Sequence, residues 1–152
     1  MSIKNKILPE NFVLDTRNDI NPYYDDLLLR DISSVWELKQ FISDCADLDN
    51  YVSEDGARRY IRQTCDTLNE EIKKHYERYI NEIQPHFSKV SDLLNKKILY
   101  NTYADQLDWS YALFLRWIKR DVELFREENI PLNQEISILT TESGEIQSKM
   151  TI

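Results

Sequence analysis

The stretch at residues 68–98 is LNEEIKKHYERYINEIQPHFSKVSDLLNKKI. Its apolar side chains recur at intervals of three and four residues, the spacing that places them on one face of an α-helix. These positions are Leu68, Ile72, Tyr76, Tyr79, Ile80, Ile83, Phe87, Val90, Leu94 and Ile98. Pro85 removes one backbone donor and crowds the preceding turn, yet the apolar pattern continues in phase beyond it. The pattern therefore predicts one long amphipathic helix with a kink near Ile83.

Two sequences with capping-box spacing mark the starts of helices. In Ser34–Glu37 and in Thr67–Glu70, a hydroxyl and a carboxylate three residues apart can each satisfy an unpaired backbone N–H. The second box opens the long helix. The first predicts a helix over 35–52, because apolar residues recur there at the same helical spacing and leave Lys39 and Asp47 on the solvated side.

The segments on either side of that helix are also predicted to be helical. Ser53 is expected to end it, and EDGARRYIRQT at 54–64 is expected to form a separate helix whose first turn is weakened by Gly56. Upstream, Asn21-Pro22 combines a capping residue with a proline at the first helical position. This pair predicts a short helix over 23–30.

The C-terminal third carries two more helical segments. A helix over 109–126 is expected to pack its apolar residues antiparallel to the long helix, because a short connection places successive helices side by side. The residue before a proline is driven away from helical geometry, so Pro131 predicts a break after Glu128. A last helix is expected over about 133–143, carrying Ile136 and Leu139 and fading near Gly144.

Together these segments predict an all-α fold, a bundle or stack of about five or six helices that includes the long proline-kinked helix. The chain has 152 residues but only two glycines and four prolines, too few turn residues for a hairpin-rich β architecture. We expect an extended N-terminal arm over residues 1–20 and a single helical domain over residues 21–152.

Charge and composition exclude several classes of partner. The chain carries 27 acidic against 19 basic side chains, and a net charge of −8 opposes binding to nucleic acid or to an anionic membrane. The sequence contains neither a signal peptide nor an apolar run of membrane-spanning length. Cys45 and Cys65 are too few for a disulfide framework, so buried reduced thiols in a cytoplasmic protein are expected.

The sequence contains no complete zinc site. A zinc peptidase carries H-E-x-x-H on one helix, and this pattern is absent. His75 and His86 would lie about 16 Å apart along one helix, too far to share an ion. Ion pairing with Glu71, Glu82 and Arg78 is the expected role of this helix face, and metal binding is the minor alternative.

Other candidates for chemistry also have structural interpretations. A nucleophilic cysteine would need an activating neighbour, and no local pattern supplies one for either thiol. The run RWIKR at 116–120 is interpreted as a solvated face beside an apolar stripe, because a helix sends neighbouring side chains in different directions. Acidic pairs such as Glu70-Glu71 have the same interpretation. We therefore assign no catalytic, cofactor-binding or metal-binding residue to this chain.

Two longer stretches carry a more specific resemblance. They are SEDGARRYIRQTCDT at Ser53–Thr67 and RDVELFREENIPL at Arg120–Leu132. Both resemble the N-terminal region of oligoendopeptidase F-like zinc metallopeptidases, which are thermolysin-like HExxH oligopeptidases. The stretches LLLRDISSVWELKQFI, NEIQPHFSKVSDLLNKKIL and GEIQSKMTI agree, so the likeness runs from about Tyr23 to Ile152.

The resemblance implies a helical fold, an HExxH zinc site with a downstream glutamate ligand, and hydrolysis of short peptides inside a deep channel. The site-bearing region of the family follows the part matched here, so none of its ligands is carried over. Zinc is thus implied for the full-length enzyme and not for this chain. The implied partners are the catalytic region of the same peptidase and an oligopeptide substrate.

Two polar groups lie within the matching stretches. Arg58, Arg59 and Arg62 are expected to form a basic helix face that pairs with carboxylates, and each is a candidate contact for a peptide. A second group is expected to tie a helix end to the turn that follows it. Its members are Asp121, Glu123, Arg126, Glu127 and Asn129.

The leading hypothesis is that the chain is the N-terminal helical portion of such a peptidase, inactive alone and contributing scaffold and channel wall. In that case, apolar surface left exposed on the isolated domain would also allow self-association. The alternative is a free-standing helical protein-interaction module derived from the same scaffold. An independently active hydrolase is the third and weakest hypothesis.

Overall fold

The computed structural model describes residues 7–9 and 11–150. It contains the helices α1 (Arg17–Leu29), α2 (Val35–Cys65), α3 (Glu70–Arg78), α4 (Gln84–Leu99), α5 (Ala112–Leu124) and α6 (Asn129–Lys149). A π-helical turn at Tyr79–Ile83 joins α3 to α4, and 3₁₀ turns lie at Ala104–Gln106 and Trp109–Tyr111. Those described residues contain no strand, so the predicted all-α bundle is confirmed.

The long helix also forms as predicted, and its irregularity lies next to Pro85. α3, the π-helical turn and α4 follow one another without interruption. At the end of the turn, the Gln84 N–H donates to the Tyr79 carbonyl, five residues back. Pro85 has no N–H to give to the next carbonyls, those of Ile80 and Asn81. The amide of Gln134, on α6, donates to both at 3.3 and 3.4 Å.

α2 is one helix of 31 residues, so the predicted boundary at Ser53 is wrong. Ser53 lies exposed in the helix interior and does not cap a new start. Gly56 is buried because the ring of Tyr79 packs directly on its backbone. A residue that weakens a helix by propensity is therefore retained here for close packing.

α1 begins earlier than predicted. Thr16 caps it, and the Asp19 carboxylate accepts from the Thr16 N–H at 2.7 Å in a capping box. Pro22 consequently lies inside the helix and does not begin it, so the predicted start near Tyr23 is wrong. Part of the predicted N-terminal arm, residues 1–6 and 10, lies outside the described residues. The division at residue 20 between an arm and one helical domain stays a prediction.

The two predicted capping boxes have different outcomes. Ser34 caps α2 and accepts from the Glu37 N–H at 3.2 Å, as expected. The Glu37 carboxylate, however, accepts from the Ser33 N–H at 2.7 Å, one residue before the expected donor. The second box is wrong, because the Asn69 side chain caps α3 by accepting from two backbone N–H groups. An amide oxygen at the cap replaces the hydroxyl of Thr67.

α5 runs antiparallel to α4, as predicted. A short connection over residues 100–111 joins the end of α4 to the start of α5. At the opposite ends of the two helices, Lys89 of α4 forms an ion pair with Glu127, just beyond α5. Ile118 is the buried residue of α5, whereas Phe125 is half-buried, with the Lys96 ammonium 6.0 Å from its ring centroid.

The predicted break before the last helix exists but lies earlier than expected, over residues 125–128. α6 begins at Asn129, which places Pro131 in its first turn, where no helical partner for a backbone N–H is needed. The helix also continues through Gly144 to Lys149, beyond the predicted end near residue 143. Within residues 7–9 and 11–150, no helix is both long enough and apolar enough to cross a membrane.

The core lies where α1, α2 and α4 meet, and its fully buried side chains include Tyr24, Leu27, Leu38, Phe41, Leu48 and Ile98. Lys97 reaches into this junction from α4. Its ammonium group donates to the carbonyls of Leu27, Leu28 and Arg30 at 2.9, 2.8 and 2.6 Å. These carbonyls lie at the C-terminal end of α1 and have no partner within their helix. Lys97 therefore fixes α1 to α4.

Candidate functional site

An open groove of about 610 Å³ lies between residues 12–15 and helices α2 and α3. The three arginines singled out in the sequence line it from α2. Its other lining residues include Asp15, Glu54, Asp55, Tyr51, Ile72 and His75. We call this feature the arginine groove. It combines cationic and anionic groups with apolar side chains that include Ile72.

Arg59 forms the back of the arginine groove and is only 8% exposed. Its Nε donates to the Asp55 carboxylate at 2.6 Å, and its Nη1 donates to the His75 carbonyl at 3.0 Å. Its Nη2 donates to the Leu14 carbonyl. One guanidinium thus joins the N-terminal segment, α2 and α3, so its role is to build the groove and not to contact a ligand.

Arg58 and Arg62 are exposed and face the groove from the next positions on α2. Arg58 pairs with Glu54 at 2.6 Å, which confirms the prediction that this basic face pairs with carboxylates. Across the groove, Asp15 pairs with Arg78 at 2.9 Å. All these side chains are accessible to solvent, so each pair can open to exchange its partner for a ligand charge at small cost.

The two histidines do not act together. His75 is exposed at the groove, whereas His86 packs its ring edge-on against Tyr24 with 5.9 Å between the ring centroids. Burial lowers the pKa of His86, and the nearby cation of Arg17 lowers it further. Of the surface ion pairs predicted for this helix face, Arg78 forms one with Asp15. Among the described residues, no ion pair involves the two histidines, Glu71 or Glu82.

The donor set does not fit a zinc ion. Across residues 7–9 and 11–150, no three His, Cys, Asp or Glu side chains converge in the way that a metal site requires.

A buried polar cluster lies between α1, α2 and α4, and the sequence analysis missed it. Asp49 accepts a hydrogen bond from Ser91 at 3.3 Å, and burial raises the pKa of Asp49 to about 6. Burial and the charge of Asp49 also raise the pKa values of Tyr24 and Cys45. Cys45 is therefore the buried, unreactive thiol that we predicted, whereas Cys65 is exposed, against prediction. In the sequence, the position of Asp49 relative to Cys45 on the apolar face of α2 is the feature that could have revealed this cluster.

Two apolar surfaces face solvent. The first, which we call the α5 face, consists of Trp109, Leu113, Trp117 and Leu124. Trp109 is 90% exposed, and Trp117 stands beside the exposed cations Arg116 and Lys119. The predicted solvated face at 116–120 is confirmed for its charged residues. The second surface, the α6 stripe, consists of Leu132, Ile136, Leu139, Ile146 and Met150.

The predicted tie at the end of α5 forms through Arg126. Its Nη1 donates to the Glu123 carbonyl at 2.9 Å and to the Phe125 carbonyl at 2.6 Å. The Asn129 N–H then donates to the Arg126 carbonyl at 3.0 Å. The motif in this stretch therefore closes the helix end and starts α6.

Comparison with known families agrees with these features. The family model described as the Peptidase M3 N-terminal domain matches residues 15–125, from the segment before α1 to the residue after α5. The match covers the α2 and α3 sides of the arginine groove and the whole long helix, whereas residues 12–14 and α6 lie beyond it. No curated protein and no solved structure matches the chain. The chain belongs to the Peptidase M3 N-terminal domain family.

Proposed function

We propose that this chain is the N-terminal helical part of an oligoendopeptidase F-like zinc metalloendopeptidase that hydrolyses short peptides. The observation that carries the proposal is the family match over residues 15–125. The matched range contains the whole of the first long stretch of the resemblance, Ser53–Thr67, and the second stretch as far as Phe125. On this proposal the chain is inactive alone, because the chemistry resides in a separate HExxH-bearing region.

The α5 face is the surface that we assign to contact with that region. It exposes two tryptophans and two leucines at helical spacing, among them Trp109 and Trp117. Exposed tryptophans bordered by cations are typical anchors of protein–protein interfaces, since they bury a large area and keep a polar rim. Covering the face would remove this apolar surface from water.

The arginine groove is the part that we assign to the channel wall. Arg58 and Arg62 present cations to the groove, while Asp15 and Glu54 present carboxylates. The charged groups at the two ends of a short peptide find complementary partners in this arrangement. A peptide with free termini is therefore the ligand class that fits, and Arg59 holds the wall in place behind it.

The test uses the purified chain, a separately produced HExxH region from the same coding sequence, and fluorogenic quenched peptides. We expect no cleavage by the chain alone and zinc-dependent cleavage by the mixture. Trp117→Ser should raise the concentration of chain needed for half-maximal cleavage by about tenfold. Trp36→Ser is the matched control, because Trp36 is a comparably exposed tryptophan on α2.

Cleavage by the chain alone, together with one tightly bound zinc per chain, would overturn the proposal. Equal effects of the two tryptophan substitutions would instead remove the α5 face as the contact surface. A mixture that never cleaves, combined with specific capture of an unrelated protein, would favour the free-standing interaction module.

A further inference from the structure

Each of the three carboxylates that line the arginine groove already has an arginine partner. The pairs, with N–O distances between 2.6 and 2.9 Å, are Glu54–Arg58, Asp55–Arg59 and Asp15–Arg78. Arg62 lines the same groove and is exposed, yet within residues 7–9 and 11–150 its side chain forms neither an ion pair nor a hydrogen bond. The groove therefore offers one unshared positive charge.

The position of Arg62 on α2 explains why its charge is unshared. On an α-helix, a carboxylate four residues away is the usual partner of an arginine. Four residues before Arg62 stands another cation, Arg58. Four residues after it stands Asp66, whose carboxylate accepts a hydrogen bond from the Asn69 side chain at 3.4 Å. Arg62 therefore keeps its charge for an anionic group from outside the described part of the chain.

Arg62 lies at the end of the groove that is nearest to the connection between α2 and α3. Arg59 donates to the His75 carbonyl at 3.0 Å, which sets the two helices side by side. One turn further along α2 and one turn back along α3 come Arg62 and Ile72, and both line the groove. A carboxylate that binds to Arg62 is therefore placed beside an apolar side chain.

The opposite end of the groove carries the acidic side chains of α2. Tyr51 and Glu54 lie at this end, and the Tyr51 hydroxyl donates to the Phe12 carbonyl at 2.7 Å. Glu54 and Arg62 are eight residues apart on one helix, which corresponds to about 12 Å along its axis. An extended peptide rises by about 3.4 Å per residue, so about four residues span this distance.

We propose that the arginine groove binds the carboxyl-terminal end of a short peptide, with the free α-carboxylate on Arg62 and the peptide running along α2 towards Glu54. The inference rests on the proposed function, which assigns the groove to the channel wall, and it adds the residue that selects the carboxylate. A guanidinium suits this task, because its planar fork can donate two parallel hydrogen bonds to one carboxylate. Peptides with a blocked carboxyl terminus are then poor ligands.

The first test titrates the 152-residue chain with the tetrapeptide Ala-Ala-Ala-Leu or with its C-terminal amide and follows the backbone amide signals by NMR. We expect the free acid to shift the signals of Tyr51 and Ile72, with a dissociation constant at least about tenfold lower than that of the amide. Arg62→Gln should weaken binding of the acid to the level of the amide. Arg116→Gln is the matched control, because Arg116 is an exposed arginine outside the groove that also lacks an ion pair within the described residues.

The second test fixes the direction of the bound peptide. A nitroxide attached to the amino end of the same tetrapeptide broadens the amide signals of residues close to it. We expect stronger broadening around Tyr51 and Glu54 than around Arg62 and Ile72. The reverse gradient would contradict the proposed direction.

Three results would overturn the inference: equal binding of the acid and the amide, equal effects of the two arginine substitutions, or no shift in the groove with either peptide. None of them decides the proposed function, which depends on cleavage by the chain mixed with the HExxH region. Absence of that cleavage, with acid-selective binding intact, would instead reject the proposed function and leave the groove as a carboxylate-binding site.

Discussion

Gly56 of α2 lies against the ring of Tyr79, so closely that a Cβ built on Gly56 would be 2.3 Å from the Cζ and Oη atoms of that ring. The Tyr79 side chain is buried, and its hydroxyl donates to the Val52 carbonyl at 3.4 Å, so it has no room to retreat. The contact joins the π-helical turn to the middle of α2. It also explains a glycine within a 31-residue helix.

Gly56→Ala is expected to destabilise the fold by about 2 kcal/mol, because the clash with Tyr79 outweighs the gain in helix propensity. Gly144→Ala is the matched control, since nothing lies within 4 Å of its Cβ position. This control should be neutral or stabilising by up to about 1 kcal/mol. Urea unfolding measures both changes. Equal effects of the two substitutions would contradict the packing account.

Arg59→Lys is expected to cost about 2 kcal/mol of unfolding free energy, because an ammonium cannot replace the guanidinium bonds to Asp55, Leu14 and His75 together. Arg58→Lys, at an exposed ion pair, should cost less than about 0.5 kcal/mol. Hydrogen exchange should also increase over residues 12–15 in the Arg59 variant. An unchanged exchange rate there would argue against Arg59 as the support of the groove.

Asp49→Asn is expected to stabilise the chain at high pH. The pKa of Asp49 in the folded chain, about 6, lies above the ordinary value of 3.8, so the folded state binds this proton more tightly than the unfolded state does. The contribution is complete below the ordinary pKa and is lost as the pH rises through 6. We expect the variant to be more stable than the parent by about 2 kcal/mol at pH 8 and equal at pH 4.

Thermal unfolding across the pH range measures that difference. Asp25→Asn, at an exposed position on α1, should show no comparable gain. If the parent chain is as stable as Asp49→Asn at high pH, or more stable, then ionisation of the Asp49 carboxyl does not destabilise the folded chain.

Gln134→Ala is expected to cost about 1 kcal/mol, because it removes the donor to the carbonyls that Pro85 leaves without a helical partner. In a Pro85→Ala background a backbone N–H is restored, so the same substitution should cost less. A double-mutant cycle by urea unfolding measures the coupling. If the two substitutions change the free energy of unfolding additively, Gln134 does not compensate for the N–H that Pro85 lacks.

The sequence pattern predicted the long helix well because a strong apolar period and one proline act locally. The same approach failed at Gly56 and Pro131 for opposite reasons. At Gly56 the deciding contact is Tyr79, which is distant in sequence, so propensity alone suggested a weak helix start. At Pro131 the local signal was real, but α6 begins early enough to place the proline in its first turn.

The candidate site, too, could be predicted from the sequence only in part. The arginines of α2 were visible in the sequence, but the inward direction of Arg59 depends on carbonyls of Leu14 and His75 that only the fold brings together. Exposure of the α6 stripe could not be foreseen either. Its apolar spacing indicated a helix, but α6 packs on the chain through the side that carries Ile130, Gln134 and Thr141, and not through the stripe.

The most direct test of the peptidase assignment is the sequence of the coding DNA beyond the codon for Ile152. We predict an open reading frame that encodes an HExxH motif within the next few hundred codons, followed by a downstream glutamate ligand. An authentic stop codon at this point, with no neighbouring gene that encodes such a region, would contradict the account.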